Sequence, residues 1–177
     1  GLGMGNLLVT GTGTNEPTGL LTAATVGVTG PTGTTTGFGA QATAGQGTDL
    51  LNDLFASVAE PYAGSPAAAF LARNATITKV KNLKTTAGDP VGTGFVANGA
   101  GAPFIPDAFM PVPAAGATTV AFGDWRAFWV RIVGGVRFER SDHVLFDSDQ
   151  VAFKATVRFD GALVDPGAVR LYKHSAT

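Results

Sequence analysis

Between Val151 and Asp160 the side chains alternate without interruption. Val151, Phe153, Ala155, Val157 and Phe159 are set against Ala152, Lys154, Thr156, Arg158 and Asp160. A period of two places the first set on one face of a strand and the second on the other, which predicts one buried face and one wet face. The same period runs through Phe128, Val130 and Ile132, and again through Val136 and Phe138 against Arg137 and Glu139. Val120–Phe122, ending at Gly123-Asp124, and Ala168–Tyr172 predict two shorter strands, and Asp160-Gly161 reads as a turn or bulge. Residues 116–177 are therefore expected to be nearly all β.

The first 115 residues carry a different pattern. Residues 1–47 are rich in Gly and Thr, with Gly11-Thr12-Gly13-Thr14-Asn15 and Pro17-Thr18-Gly19 reading as consecutive turns. Leu20, Leu21, Val26 and Val28 suggest a short strand broken by Thr29-Gly30-Pro31-Thr32-Gly33. Thr34–Gly47 has no large apolar residue except Phe38 and reads as a mobile loop. Leu50, Leu51, Leu54, Phe55 and Val58 recur at helical spacing after a Thr48 or Asp49 cap, with Pro61 as the stop. Ala67–Leu71 predicts a buried strand. A second helix is expected from an Asn74 cap, with Ile77, Val80 and Leu83 or Lys84 inward and Gly88 as its end. A Gly/Ala loop at Ala97–Ala102 and an extended Pro103–Pro113 segment complete a mixed α/β half.

Composition changes the picture in one respect. Of 177 residues 45% are hydrophobic, but only 14% are charged and the net charge is −1. Roughly a quarter of residues is charged in an ordinary soluble domain. So sparse a surface fits either burial against copies of the chain or a partner, or a bland Gly/Thr/Ala exterior. There is no cysteine, which removes disulfides and thiolate chemistry. No apolar run approaches the ~20 residues of a membrane span. Gly1–Gly5 lacks the basic start and apolar core of a signal peptide, and a first methionine at position 4 suggests a processed or truncated product.

Candidate chemistry is thin. Ser141-Asp142-His143 has the residue types of a hydrolase triad, yet neighbours in an extended segment point to opposite faces. Asp142, Asp147 and Asp149 lack the Gly and the terminal Glu of a helix-loop-helix calcium loop. The early glycines are followed by neither a third glycine nor Gly-Lys-Ser/Thr, so no phosphate cradle is expected. Arg73, Lys79, Lys81 and Lys84 form a local positive excess without stacking aromatics, which reads as a solvated helix face. Asn74-Ala75-Thr76 has a glycosylation pattern but opens a helix. Trp125 and Trp129 suit either sugar stacking or core packing. No catalytic, cofactor-binding or metal-binding residue is therefore assigned, and no specific nucleic-acid site or membrane contact is expected.

The order of segments carries a resemblance. Thr10–Leu21 is similar to the segment after the long spine helix in tailed-bacteriophage major capsid proteins of the Hong Kong 97 type. Ala69–Thr76 continuing to Leu83-Lys84 and Ala87-Gly88 looks like that family's strand-then-helix unit. Phe109-Met110-Pro111, Ala121–Trp125, Arg158–Gly161 and Asp165–Ala168 follow in the family's order.

The resemblance implies an α+β capsid fold: an axial domain at residues 1–135, completed by 166–177, and a remnant of the peripheral antiparallel sheet at 136–165. It implies a structural, non-enzymatic subunit of an icosahedral virion shell, assembled in the bacterial host cytoplasm, whose partners are other copies of itself. Thr93–Ala102 resembles the loop near the symmetry axis. The family's N-terminal arm, extended loop and spine helix would precede residue 1, so the isolated chain is expected to be monomeric or weakly associated. Arg140–Gln150 has no asparagine, so the Lys–Asn crosslink of some members is not carried over. Two other readings stand beside this one: a bacterial encapsulin-like shell protein, and a β-rich carbohydrate- or receptor-binding module.

Overall fold

The computed structural model describes residues 2–98 and 101–177. The described residues form seven strands: β1 (Thr25–Thr29), β2 (Ala68–Ala72), β3 (Phe104–Pro106), β4 (Thr118–Asp124), β5 (Phe128–Leu145), β6 (Gln150–Leu163) and β7 (Val169–Lys173). The described helices are α1 (Leu2–Thr10), α2 (Leu20–Ala23), α3 (Asp49–Ser57), α4 (Glu60–Ala63), α5 (Asn74–Lys81) and α6 (Gly92–Asn98). Five strands make a mixed sheet in the order β1-β7-β4-β2-β3, and β5 and β6 make a separate antiparallel pair.

At the centre, β4 pairs antiparallel with both β7 and β2, while β1 and β3 join the edges in parallel. Val120 and Phe122 face one side with Phe70 and Tyr172, and Ala121 faces the other with Val169 and Leu171. A strand covered on both faces needs apolar residues at successive positions, so Val120–Phe122 shows no alternation. The first face is covered by α3 and α5 through Leu50, Leu51, Leu54, Ile77 and Val80. There Phe70 stacks on Phe104, with ring centroids 4.7 Å apart, and lies 4.4 Å from Phe122. The second face is covered by Val9 of α1, Leu20 of α2 and Met110.

Several local expectations are corrected. Residues 2–10, for which the sequence predicts no element, form a helix, because Val9 gains burial that outweighs the low helix propensity of Gly3 and Gly5. Leu20 and Leu21 belong to a helical turn, and the strand begins only at Thr25. Pro61 does not stop α3, which ends at Ser57; it sits in the first turn of α4, where its missing N–H has no intrahelical role. Asn74 heads α5 after Arg73 without capping it, and α5 ends at Lys81, well before Gly88. The Thr93–Ala102 loop is helical through Asn98; its Gly99 and Ala100 lie outside the described residues.

The Thr34–Gly47 loop is irregular but pinned. Phe38 is buried against Tyr172 with centroids 5.2 Å apart. The side chain of Gln41 both accepts from the Thr48 backbone N–H (2.9 Å) and donates to Thr48 Oγ1 (2.9 Å). Side-chain amides thus replace the ladder bonds that an irregular backbone lacks.

Candidate assembly surface

The β5–β6 hairpin leaves the main sheet at a tightly bonded root. Trp125 is packed inward, its Nε1–H donating to the Ala69 carbonyl at 3.0 Å. Asp124, almost fully buried, accepts from Arg126 Nη2 at 2.8 Å, and another Arg126 N–H reaches Ser65 Oγ at 2.6 Å. That charged partner holds the Asp124 carboxyl far below the usual carboxylate range. On the return strand Val164 N–H donates to the Ala127 carbonyl (2.9 Å), and Tyr62 O–H donates to Asp165 at 2.5 Å. This bond lowers the Asp165 pKa and raises that of Tyr62.

Asp160-Gly161 is neither turn nor bulge: Arg131 pairs with Asp160 and Val130 with Gly161 in unbroken register. The glycine has another use. A Cβ on Gly161 would lie 2.5 Å from Leu8 Cδ2, so its absence lets α1 rest on the root of the hairpin. The bulge occurs instead between Val133 and Val136, where Gly134 (φ 71°) and Gly135 (φ 65°) take the left-handed conformation.

Cross-strand partners share a face, so the register sorts the hairpin into two surfaces. One carries Phe128 opposite Leu163, Ile132 opposite Phe159, Val136 opposite Val157 and Phe138 opposite Ala155, with Phe153 further along. The other carries Arg131 opposite Asp160, Arg137 opposite Thr156, and Glu139 opposite Lys154. The alternation expected for Val151–Phe159 is present, but its apolar face is not buried. Phe138 and Phe153 are each 75% exposed, and Ile132, Val136, Val151 and Val157 are exposed as well. A run of large apolar side chains open to water on a two-stranded ribbon makes this face a candidate contact surface.

The remaining candidate residues do not converge into a reactive site. Ser141, Asp142 and His143 follow one another along β5, and the Asp142 carboxylate is taken by Arg140 at 2.8 Å. Asp147 and Asp149 lie at the end of the hairpin, and no group of three metal-ligating side chains forms among the described residues. Glu16 accepts from the Thr12 N–H (2.7 Å) and hydroxyl (2.8 Å), so the early glycine-rich turns are closed by their own side chains. Arg73 points to the Met110 carbonyl and Lys79 to the Thr36 carbonyl, while Lys81 and Lys84 are exposed. Trp125 and Trp129 do not form one platform, since Trp125 anchors the root and Trp129 is 67% exposed. His174 is wholly buried between the Thr34 carbonyl and Thr119, and burial lowers its pKa.

The chain contains a mixed sheet with helices on both faces and an outlying long hairpin. The model of the phage capsid family matches residues 1–174. The chain belongs to the phage capsid family. No curated protein matches it significantly. Among solved structures, this capsid-family chain is similar to the capsid of a native GTA particle: TM-score 0.81, 25% identity, 98% of this chain and 61% of that one covered. The capsid of the empty GTA particle gives TM-score 0.80 at 25% identity, with 99% and 67% covered. A chain of Gordonia phage Cozz shares the fold, with TM-score 0.60 at 21% identity over 88% of this chain and 50% of that one. The capsid-family chain thus spans about three fifths of the native-particle chain (61%), and the expected α+β capsid fold is its fold.

Proposed function

We propose that this chain is a structural subunit of a phage-like capsid, working by association with other copies and not by catalysis. The observation that carries the reading is the β5–β6 hairpin, rigid at its root and open along an apolar face that includes Phe138 and Phe153. Family membership and the likeness to particle capsids support it. Two phenylalanines fully removed from water contribute on the order of 3–6 kcal/mol, enough to favour a weak contact and too little alone to close a shell.

The division of labour follows the two sheets. The five-stranded sheet and its helices form the axial part, and the hairpin forms the peripheral part. The ladder supports a division at residues 127/128 and 163/164, which begins and ends earlier than the 136–165 limits read from the sequence. The place of action is the particle itself.

The test is the concentration dependence of association, followed by light scattering with electron microscopy. The chain is expected to associate weakly and reversibly, without closed particles. The pair Phe138→Asp and Phe153→Asp should return it to monomer with an unchanged far-UV spectrum. Unaltered association in that variant would remove the apolar face from the account.

A further inference from the structure

The polar face of the hairpin has a charge pattern that the chain does not satisfy internally. Arg137 is bonded to Glu139 at 2.7 Å, and Asp160 accepts from the backbone N–H of Gly161 at 2.8 Å. Among the described residues, Lys154 and Arg158 form no ion pair, although Glu139 faces Lys154 across the ladder and Glu16 lines a hollow with Arg158. Together with Arg137, they border a recess of about 340 Å³ beside Gly134, Gly135 and Thr156. The left-handed glycines interrupt the ladder there and leave no side chain over it. The recess therefore has three cations and one carboxylate at its edge, with room for one or two acidic side chains.

The opposite charge stands at the other end of the same hairpin. Asp147 and Asp149 are exposed around the 3-10 turn Phe146–Ser148 and have no cationic partner among the described residues. Asp142 is already held by Arg140. At ~3.3 Å per strand residue, Asp149 lies roughly 17 Å along the ribbon from Lys154 and roughly 30 Å from Arg158. Screening at physiological salt acts over about 8 Å, so the acidic tip does not neutralise its own basic recess. The ladder that stiffens the hairpin is what keeps the two apart.

We propose that the acidic tip of one copy, Asp147 and Asp149, docks in the basic recess formed by Arg137, Lys154 and Arg158 on the next copy. The inference rests on the capsid-subunit reading and adds a direction to it. A tip-to-recess contact uses different patches on the two molecules, so it is head-to-tail and propagates around a ring or along a chain, unlike a two-fold contact that ends at a dimer. It also uses the face opposite to Phe138 and Phe153, so the charged and apolar contacts are separable by mutation.

Charge reversal tests it on the intact chain. One variant carries Asp147→Lys and Asp149→Lys; a second carries Lys154→Glu and Arg158→Glu. Each alone presents like charges at the contact, and its association constant at low salt should fall at least tenfold. Mixed in equal amounts, the two variants present opposite charges at every tip-to-recess contact, and association should return to within about threefold of the unmodified chain. The altered side chains are exposed, so all variants should fold, but Asp149 has φ 51° and Lys154 faces Glu139; if a reversal melts early, Asp147→Asn with Asp149→Asn replaces it and should abolish the salt dependence of association. Unchanged association in both variants, or a loss that mixing does not repair, overturns the docking. Such a result combined with monomer formation by Phe138→Asp and Phe153→Asp would leave the capsid-subunit reading standing. If neither set of changes affects association, both fail.

Discussion

His174 Nε2 and Thr119 Oγ1 lie 2.9 Å apart in the interior, while His174 Nδ1 lies 2.8 Å from the Thr34 carbonyl. A carbonyl only accepts, so Nδ1 carries the proton and Nε2 accepts from the Thr119 hydroxyl. One neutral tautomer thereby ties the end of β7 to β4 and to the Thr34–Phe38 loop. Burial lowers the His174 pKa and the Lys79 ammonium, which reaches the Thr36 carbonyl, lowers it further, against hydrogen bonds to the Thr34 and Gly37 backbone that raise it.

Stability should therefore fall on mild acidification. The folded pKa of His174 lies below its ordinary value of 6.5. The unfolded chain then binds the proton first, so the full contribution is present above pH 6.5 and is lost as pH falls through the unfolded value toward the folded one. The slope is at most ~1.4 kcal/mol per pH unit. Urea denaturation at pH 7.5 and at pH 5 should show the loss, and His174→Asn should flatten it over that interval even though it lowers stability throughout.

Gly161 and Leu8 form a second testable pair. With a prospective Cβ only 2.5 Å from Leu8 Cδ2, Gly161→Val should overpack the junction of α1 and the hairpin, costing about 1–3 kcal/mol. Leu8→Ala should recover part of that loss in the double variant, a coupling read from a denaturation double-mutant cycle. Strict additivity would mean that α1 does not press on β6.

The two tryptophans should respond unequally. Trp125→Phe removes the donor to the Ala69 carbonyl in a partly buried site and should destabilise by about 1–2 kcal/mol. Trp129→Ala, at an exposed position, should alter thermal stability by no more than about 1 kcal/mol. Equal effects would contradict their separation into root and surface.

Hydrophobic-dye fluorescence should report the open face directly. The chain should bind such a dye in its folded state, and Phe138→Ser with Phe153→Ser should remove most of the signal without shifting the melting curve. Hydrogen exchange should stay slow near Val130 and Gly161, at the bonded root, and quicken beyond the Gly134-Gly135 bulge.

Much of the hairpin was legible in the chain itself. A period of two from Val151 to Phe159 admits only a strand with unlike faces, and Phe128, Val130 and Ile132 repeat the pattern on its partner. The few imidazoles and carboxylates have no spacing along the chain that would bring nucleophile, base and orienter together. The strand at Ala68–Ala72 and the helix at Asp49–Ser57 follow from local burial patterns in the same way.

Tertiary structure decided what local pattern leaves open. Residues 2–10 are helical because Val9 finds a sheet face to pack on, which their glycines do not foretell. Asp160-Gly161 has the composition of a turn, yet it runs straight because Leu8 occupies the space a Cβ would need. The bond between Tyr62 and Asp165 joins positions 103 residues apart, and the order β1-β7-β4-β2-β3 depends on such distant pairings. The sequence alone determined that the hairpin has an apolar face, since alternation is a property of neighbouring residues. Whether that face is covered depends on which surfaces the rest of the chain can bring to it; α1 packs at the root at Gly161, while Phe138 and Phe153 stay open to water.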